Sequence, residues 1–568
     1  MQRHLSTICG SRTETLQRAR EYFQQTERVL WITDESTLLT ENAANPASVC
    51  LPAAKARSVL GREFFIVVFD AWSGLDVNAL AAVSGTICAG GALVLLTPPW
   101  PEWQHYADPD YKRFLPHPWQ PDQLSGYFLQ RFMRLTPQSV LTDLSELAVQ
   151  LPANFTTQTS DDQKRALRAI LSAEQAVVMT ADRGRGKSAV LGMAAQQLLE
   201  SGQRVLLTAP SRAAAETVFR HTSLPPDFVA PDELLQSLPP ADVLLVDEAA
   251  AIPVPMLLAM QQHYPRCVFS TTLHGYEGSG RGFVLRFQAE LSRRVPDWIN
   301  VRLSTPIRWQ AGDTLEAWLN RTLLLDAELV KSTEFDTAVE ISYRMVSQQE
   351  LAEDEALLRQ LFGLLVSAHY QTRPSDLRQM LDAPQVTIHV LEQNSRTLAV
   401  ALLSREGGLD EALVTEIHAG KRRPHGHLLA QSLTFHAGIA GAACLYGERV
   451  MRIAVHPELQ GRGLGALLLD QVTCYARQQQ ADYIGVSYAL SAELLRFWQR
   501  AGFVPVRLGF RKDKASGARS LMQLCGLSEA GVVLCHQAGT KFQQGLDKLL
   551  KQLGHLPAPL VQALKSER

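Results

Sequence analysis

Residues 452–469 read RIAVHPELQGRGLGALLL, which is a short apolar strand, a glycine-rich turn and the start of a helix. Glycine allows the backbone to come close to a ligand, and the N–H groups at the beginning of a helix attract anions. The stretch therefore predicts a loop that binds a diphosphate, although a dinucleotide-binding loop is an alternative interpretation. The predicted ligand contacts are Ile453, Ala454, Val455, Gln460, Gly461, Arg462, Gly463, Leu464, Gly465 and Ala466.

Two further segments follow this loop. Residues 483–487 (YIGVS) predict a strand, and residues 492–503 (AELLRFWQRAGF) predict a helix that ends in a turn. Together with the loop, these segments resemble motifs A and B of the GNAT acetyltransferase superfamily, and their order disfavours the dinucleotide interpretation. The resemblance implies acetyl-CoA as the ligand, with its pantetheine arm beside the strand that ends at Val455 and with further contacts from Glu493 and Arg500.

The candidate acid and base lie near the same strand. His456 follows the strand immediately and is the candidate general base, although a loop histidine bonded to local backbone is an equally simple interpretation. Trp498 occupies the position at which many GNAT enzymes have a tyrosine that protonates the departing thiolate. An indole cannot supply that proton, so Tyr488 or water takes this role in the prediction.

A second phosphate-binding loop occurs near the middle of the chain. An apolar strand at residues 175–180 leads into ADRGRGKS (181–188) and then into a helix. A P-loop requires glycines whose N–H groups surround phosphate oxygens, a lysine for the terminal phosphates and a hydroxyl for Mg²⁺. Ala181 replaces the usual first glycine. The predicted nucleotide contacts are Asp182, Arg183, Gly184, Arg185, Gly186, Lys187, Ser188 and Ala189, with Ser188 also on Mg²⁺.

Other segments support an ATPase with a RecA-like fold. The apolar strand at residues 243–246 delivers Asp247 as a Mg²⁺ ligand and Glu248 as the residue that orients the attacking water, although a surface pair of acids is the alternative. Gln163 resembles the adenine-reading glutamine of superfamily 2 helicases. Arg308 is the candidate γ-phosphate sensor, with Arg302 as its competitor. The chain has one P-loop and no second RecA lobe, so a processive helicase is not expected.

The pattern of elements predicts a multidomain α/β protein. We expect a doubly wound N-terminal domain (1–150), a RecA-like ATPase domain (151–335), a GNAT domain (336–510) and a small helical, basic RNA-binding tail (511–568). The net charge of the chain is only −2, but residues 500–568 hold eleven Lys or Arg and four Asp or Glu. The eight scattered cysteines and the lack of a long apolar run predict a reduced, cytoplasmic protein without a membrane segment.

A P-loop domain that precedes a GNAT domain resembles the RNA cytidine acetyltransferase family, including its bacterial tRNA(Met) members. The resemblance covers nearly the whole chain. It implies N4-acetylation of the wobble cytidine of elongator tRNA(Met), with acetyl-CoA and hydrolysis of ATP or GTP. Mg²⁺ is expected from the P-loop residues, and no obligatory protein partner is evident from the sequence. One alternative is a protein or small-amine N-acetyltransferase with a regulatory ATPase domain. Another is an RNA-remodelling ATPase whose GNAT domain only binds.

Overall fold

The computed structural model describes residues 1–23, 26–35, 48–137, 159–273, 280–329, 340–368, 372–513, 517–553 and 556–565. The chain forms two compact units. Unit 1 comprises residues 1–111, 128–327 and 369–377, and unit 2 comprises residues 112–127, 328–368 and 378–568. Unit 1 contains two β-sheets and unit 2 contains one, which confirms the predicted multidomain α/β fold.

The first sheet of unit 1 is entirely parallel and has the strand order β1-β5-β4-β2-β3. Every residue of β4 is buried and all but the last, Asp70, are apolar, as expected for a parallel strand that is covered on both faces. The order confirms the doubly wound arrangement expected at the N-terminus. The strands are β1 (His4–Cys9), β2 (Val29–Ile32), β3 (Ser48–Leu51), β4 (Phe64–Asp70) and β5 (Ile87–Thr97).

The second sheet of unit 1 is also parallel and has the order β11-β6-β10-β9-β7-β8. Because β10 lies between β6 and β9, the carboxyl ends of these three strands meet at one edge, where ligands bind in open α/β sheets. The strands are β6 (Val177–Ala181), β7 (Val205–Thr208), β8 (Asp227–Phe228), β9 (Val243–Val246), β10 (Cys267–Thr272) and β11 (Ile299–Leu303).

Helices occur in many of the connections between these strands, because parallel neighbours must be joined by a crossover. In the part of the chain up to residue 323 that the structure describes, the α-helices are α1 (Arg12–Phe23), α2 (Val77–Ser84), α3 (Trp100–Trp103), α4 (Tyr127–Leu135), α5 (Asp161–Ser172), α6 (Lys187–Glu200), α7 (Glu216–Arg220), α8 (Pro231–Ser237), α9 (Val254–His263), α10 (Gly280–Arg294) and α11 (Thr314–Leu323).

The sheet of unit 2 has the order β12-β13-β14-β15-β16-β18-β17. Every neighbouring pair is antiparallel except β15 and β16, which are parallel. The strands are β12 (Ser342–Val346), β13 (Val386–Gln393), β14 (Arg396–Gly407), β15 (Tyr446–Val455), β16 (Tyr483–Ala489), β17 (Val504–Lys512) and β18 (Arg519–Gly526). The later helices are α12 (Gln348–Glu353), α13 (Glu355–Ala368), α14 (Pro374–Asp382), α15 (Glu411–His418), α16 (Leu428–Gln431), α17 (Leu464–Gln478), α18 (Ala492–Arg500), α19 (Glu529–Leu553) and α20 (Ala558–Lys565).

Two apolar clusters show which elements cover each face of this sheet. Ile484 and Val486 of β16 pack with α17. Tyr483, in contrast, packs with Leu429 of α16 and Leu534 of α19. Side chains alternate along a strand, so α17 covers one face while α16 and α19 cover the other.

Two of the predicted boundaries do not coincide with the described elements and units. The boundary at residue 510 cuts β17, and β18 lies inside the sheet, so the GNAT sheet extends to Gly526 and α19 packs on it. Residues 112–127, which were assigned to the N-terminal domain, belong to unit 2. There the N–H of His117 donates to the carbonyl of His425 at 3.1 Å. The boundaries at 150/151 and 335/336 lie outside the described residues.

In the part of the chain that the structure describes, no helix has the length and apolar character needed to cross a membrane. All eight cysteines are free thiols.

Candidate active sites

The P-loop of unit 1 lies between β6 and α6, and two other segments hold its shape. Gly184 and Gly186 have φ values of +78° and +77°, which favour glycine. A Cβ on Gly184 would lie 2.5 Å from the ring of Trp309, and one on Gly186 would lie 2.4 Å from the amide nitrogen of Gln163. The N–H of Ile307 donates to the carbonyl of Gly184 at 2.9 Å. Trp309, Gln163 and Ile307 thus pack against the loop and hold it in a defined conformation.

Lys187 and the acids after β9 meet at the edge of the second sheet. The ammonium of Lys187 donates to the Thr272 hydroxyl at 2.8 Å and lies 3.7 Å from a carboxylate oxygen of Glu248. Glu248 has a φ of +48°, a conformation that L-residues adopt at a cost and that is common at functional sites. The structure thus brings together the predicted phosphate-binding lysine and the predicted water-orienting acid.

Asp247 is fully buried beside these groups. Burial and the neighbouring Glu248 raise the pKa of Asp247, while the ammonium of Lys187 opposes that rise. Among the described residues, Asp247 Oδ2 and Ser270 Oγ are buried without a hydrogen-bond partner. Buried polar atoms are normally paired, so this pocket is suited to a ligand that supplies the missing partners.

Gln163 contacts the P-loop, and its neighbour Asp162 has a role that the sequence did not indicate. The side chain of Gln163 caps α5 with Ser160 and donates to the Gly186 carbonyl at 3.4 Å. Asp162 accepts from the N–H groups of Ser304 and Thr305 at 2.8 and 2.9 Å. Burial alone would raise the pKa of Asp162, but these bonds and the Ser160 hydroxyl lower it to about 2. Asp162 therefore fixes the loop that carries Ile307 to the P-loop.

Arg185 and Trp309 link the P-loop to the start of α11. Arg185 forms an ion pair with Glu316 at 2.5 Å, and the indole N–H of Trp309 donates to the same carboxylate at 3.0 Å. Arg3 of the N-terminal segment lies 3.5 Å from the Trp309 ring centroid and pairs with Asp313 at 2.8 Å. The first sheet of unit 1 is thus joined to the nucleotide loop through one cluster of side chains.

The other residues considered for the nucleotide site differ in burial and in the groups that they contact. Arg308 is half-buried and donates to the carbonyl of Gly85 at 3.3 Å. Arg302 is exposed on the edge strand β11. Arg183 packs against Gly85. Asp182 and Ser188 are half-buried, and Ala189 is buried in the first turn of α6.

In unit 2, the parallel pairing of β15 and β16 stops before either strand ends. Pairs form from Gly447 with Tyr483 to Val450 with Val486, after which β15 bonds only to β14 and β16 only to β18. Among the described residues, no strand pairs with the β16-facing edge of residues 453–455. The backbone of these three residues forms an edge that an extended ligand can join as an added strand.

The glycine-rich loop lies directly beyond this open edge. Gly461 and Gly463 have φ values of +77° and +84°, and a Cβ on either would meet no atom within 4 Å. α17 begins at Leu464, so its first N–H groups and positive end face the same loop. Gly465 packs near Val455 and Phe497, and Gln460 donates to the Val455 carbonyl at 3.4 Å. The loop therefore has open space above a helix N-terminus, as a diphosphate requires.

The other predicted residues of this unit divide into core and surface positions. Ile453 and Val455 pack towards the α17 cluster, and Ala454 is buried between them. His456 is 7% exposed, and its backbone N–H extends the ladder by donating to Leu398 at 2.9 Å. The following residues are exposed: Arg462, Ala466, Glu493 and Arg500.

Trp498 is a core residue and not part of the open edge. It is 2% exposed, and its ring lies 4.9 Å from Phe503 and 6.2 Å from Tyr488. The Tyr488 hydroxyl donates to the side-chain oxygen of the buried Gln523 at 2.5 Å. Burial raises the pKa of Tyr488, which keeps the hydroxyl protonated. Tyr488 thus retains the proton that a leaving-group acid needs.

Three protein families match the chain in succession. The family described as tRNA(Met) cytidine acetyltransferase TmcA, N-terminal, matches residues 1–141. The helicase domain of RNA cytidine acetyltransferase NAT10/TcmA matches residues 178–226 and 223–326. The family GNAT acetyltransferase 2 matches residues 360–481 and 474–528.

Curated relatives match across most of the chain. A protein of Nitrosococcus halophilus named tRNA(Met) cytidine acetyltransferase TmcA is 40% identical over 99% of this chain and 79% of its own length. Its namesake in Vibrio cholerae is 38% identical over 84% of this chain and 68% of its own length. A Haloferax volcanii protein of the same name is 36% identical, with coverage of 84% and 71%.

Proposed function

The chain belongs to the tRNA(Met) cytidine acetyltransferase family, and we propose that it transfers an acetyl group from acetyl-CoA to N4 of the wobble cytidine of elongator tRNA(Met), with hydrolysis of ATP or GTP. The observation that carries this proposal is the open edge of β15 beside the glycine loop of residues 461–465, in a chain that also holds a packed P-loop. The expected location is the cytoplasm, where tRNA is used.

Acetyl-CoA supplies an acetyl group that is already activated as a thioester. The backbone of residues 453–455 is suited to hold its pantetheine arm, and the loop from Gly461 to Gly465 its diphosphate. The cytosine amine is neutral but a poor nucleophile, so the protein must mainly position it. Such positioning can contribute roughly 7–11 kcal/mol to the rate. His456 then takes the proton that the amine releases, and Tyr488 is the candidate donor to the thiolate.

Because acyl transfer from a thioester needs no further energy, hydrolysis in unit 1 has another task. We assign it to a rearrangement of the RNA that exposes the target base, at a cost of a few kcal/mol. Mg²⁺ would neutralise phosphate charge between Ser188 and Asp247, and the buried Oδ2 of Asp247, which has no partner among the described residues, fits that role. Lys187 holds the terminal phosphates, and Glu248 orients the attacking water.

The test of the overall function uses the purified full chain. Bulk tRNA is incubated with labelled acetyl-CoA and ATP, and the labelled nucleoside is identified after digestion. We expect N4-acetylcytidine from tRNA(Met). Acetylation of an added peptide or polyamine, with tRNA left unlabelled, would favour the alternative of a protein or small-amine acetyltransferase. ATPase activity that RNA stimulates, without any turnover of acetyl-CoA, would favour an RNA-remodelling ATPase.

The acetyl-CoA cradle has a matched control in the same unit. Gly461→Ala and Gly441→Ala each place a Cβ in open space at a φ near +80°, so both carry similar backbone strain. Only Gly461 lies in the loop assigned to the diphosphate. We expect Gly461→Ala to raise the Kd for acetyl-CoA at least tenfold and Gly441→Ala to leave it unchanged. Equal effects of the two substitutions would remove the loop from the binding site.

The role of the nucleotide is tested with Lys187→Ala. The variant is expected to bind acetyl-CoA normally but to lose nucleotide-dependent acetylation of full-length tRNA. Acetylation at the normal rate without nucleotide would show that hydrolysis is not coupled to the reaction.

A further inference from the structure

The face of the unit 2 sheet that α16 and α19 cover carries a compact group of basic and aromatic side chains. We call it the cationic surface and define it by Arg423, Phe435, His436, Arg507 and Lys541. The guanidinium of Arg423 lies 5.3 Å from the centroid of the Phe435 ring. The rings of Phe435 and His436 meet edge to face at 4.9 Å.

A local irregularity of the backbone presents these rings to solvent. Residues 432–436 form one π-helical turn, which often marks a functional position. Leu433 and Thr434 are buried, whereas Phe435 remains 37% exposed. Gly420 lies against the Phe435 ring, because a Cβ there would be 2.8 Å from it. The ring is therefore held in place while part of it stays accessible.

Two distant parts of the chain add positive charge beside these rings. Lys541 of α19 donates to the carbonyls of Ala437 and Gly438 at 3.3 and 2.9 Å. Burial and the nearby guanidinium groups of Arg507 and Arg423 lower the pKa of His436. Lys421 and Arg422 are exposed beside Arg423, and Glu416 lies 3.7 Å from Arg422. The charge is local, since the whole chain carries a net charge of −2.

The cationic surface belongs to the side of the sheet away from the glycine loop. α16 precedes the π-helical turn directly, and its Leu429 packs on Gly485, one residue before the pairing of β15 and β16 stops. α17, whose N-terminus bears the glycine loop, covers the opposite face. A molecule on the cationic surface would thus approach the open edge from the side that coenzyme A does not occupy.

We propose that the cationic surface binds the acceptor RNA, with Arg423, Arg507 and Lys541 on backbone phosphates and the Phe435–Arg423 pair against an unstacked base. This inference rests on the proposed function and adds the surface on which the tRNA lies. Guanidinium groups and aromatic rings are the groups on which single-stranded bases stack, and clustered cations contact the backbone. An acidic protein would also bind the cations, but its binding would not require the exposed ring of Phe435.

The test measures tRNA binding by the full chain at several salt concentrations, without acetyl-CoA. The variants are Arg423→Ala with Lys541→Ala, and separately Phe435→Ala. Arg477→Ala, an exposed arginine of α17 on the other face, is the control. Removal of one cation from a backbone phosphate should reduce the slope of log K against log salt by about 0.7 to 0.9. We expect the double variant to show about twice that reduction and Phe435→Ala to weaken binding about tenfold.

Steady-state kinetics separate this proposal from the proposed function. The variants should raise the KM for tRNA and leave the Kd for acetyl-CoA unchanged, which also shows that unit 2 is folded. The inference would be overturned if the variants of the cationic surface had the same tRNA affinity and salt slope as Arg477→Ala. It would also be overturned if these variants bound tRNA normally but no longer bound an acidic peptide that the wild-type chain binds. If the wild-type chain bound tRNA through this surface but did not acetylate it, the proposed function would be wrong, whereas the assignment of the cationic surface to RNA binding would be correct.

Discussion

Replacing Asp313 by Asn should destabilise unit 1 strongly, because it leaves the Arg3 guanidinium charged and buried. Arg3 is 1% exposed, and its backbone N–H, Nε and Nη2 all donate to Asp313 at 2.8 to 3.1 Å. Asp313 also caps α11 through the N–H of Glu316, a role that Asn fills almost equally well. Removal of one partner from a buried ion pair costs about 3–5 kcal/mol. We expect a decrease of that size in the free energy of unfolding.

The control is the same pair of residue types on the surface of unit 1. Arg204 donates to Asp242 through Nε and Nη2, as Arg3 does to Asp313, but both side chains are exposed. Asp242→Asn should therefore have a much smaller effect, since solvent screens the charge that remains.

The measurement is amide hydrogen exchange of β1 and α11 in the full chain, which gives the free energy of opening. Adding Arg3→Met to Asp313→Asn should restore most of the stability, because no buried charge then lacks its partner. If Asp313→Asn were no more destabilising than Asp242→Asn, the pair would not be what joins the first sheet to α11.

Three further predictions concern single side chains. Burial raises the pKa of Glu448 from 4.5 to about 7. The contribution of the protonated carboxyl group to stability is therefore complete below pH 4.5 and is lost as the pH rises through 7. Glu448→Gln should therefore stabilise unit 2 by about 3 kcal/mol at pH 8 and by much less at pH 5, as thermal unfolding would show. Tyr488→Phe should lower kcat about 100-fold with an unchanged Kd for acetyl-CoA, and an unchanged kcat would assign the thiolate proton to water. Glu316→Gln should raise the Kd for ATP roughly tenfold, as expected when one charge-assisted hydrogen bond of about 1.5 kcal/mol is removed, and leave acetyl-CoA binding as it is. Equal ATP affinity would show that the Arg185 ion pair does not shape the P-loop.

The sequence predicted those parts of the fold and sites that are local. The strand at residues 243–246, the helix that begins at Lys187 and the glycine loop after Val455 depend on neighbouring residues, and they lie where the patterns placed them. Short apolar strands followed by glycines carry their own signal, because the backbone there must turn and approach a ligand.

Contacts between distant residues left no such signal. Glu316 bonds to Arg185 across 131 positions, and Asp162 bonds to Ser304 across 142, so neither creates a period or a motif. The direction of Arg308 is also a matter of tertiary packing, since a sequence gives the residue type but not its rotamer. The capping box of Ser160 and Gln163 could have been found, because its spacing is characteristic of a helix start.

The contact between Trp309 and Gly184 also gives the protein an internal optical reporter. Indole emission responds to the polarity and charge around the ring, and this ring touches the nucleotide loop, a guanidinium and a carboxylate at once. A shift of the loop on arrival of a nucleotide therefore changes the fluorescence of one identifiable residue. Comparison with Trp309→Phe isolates its signal from that of the other eight tryptophans, so the kinetics of nucleotide entry can be followed without an added label.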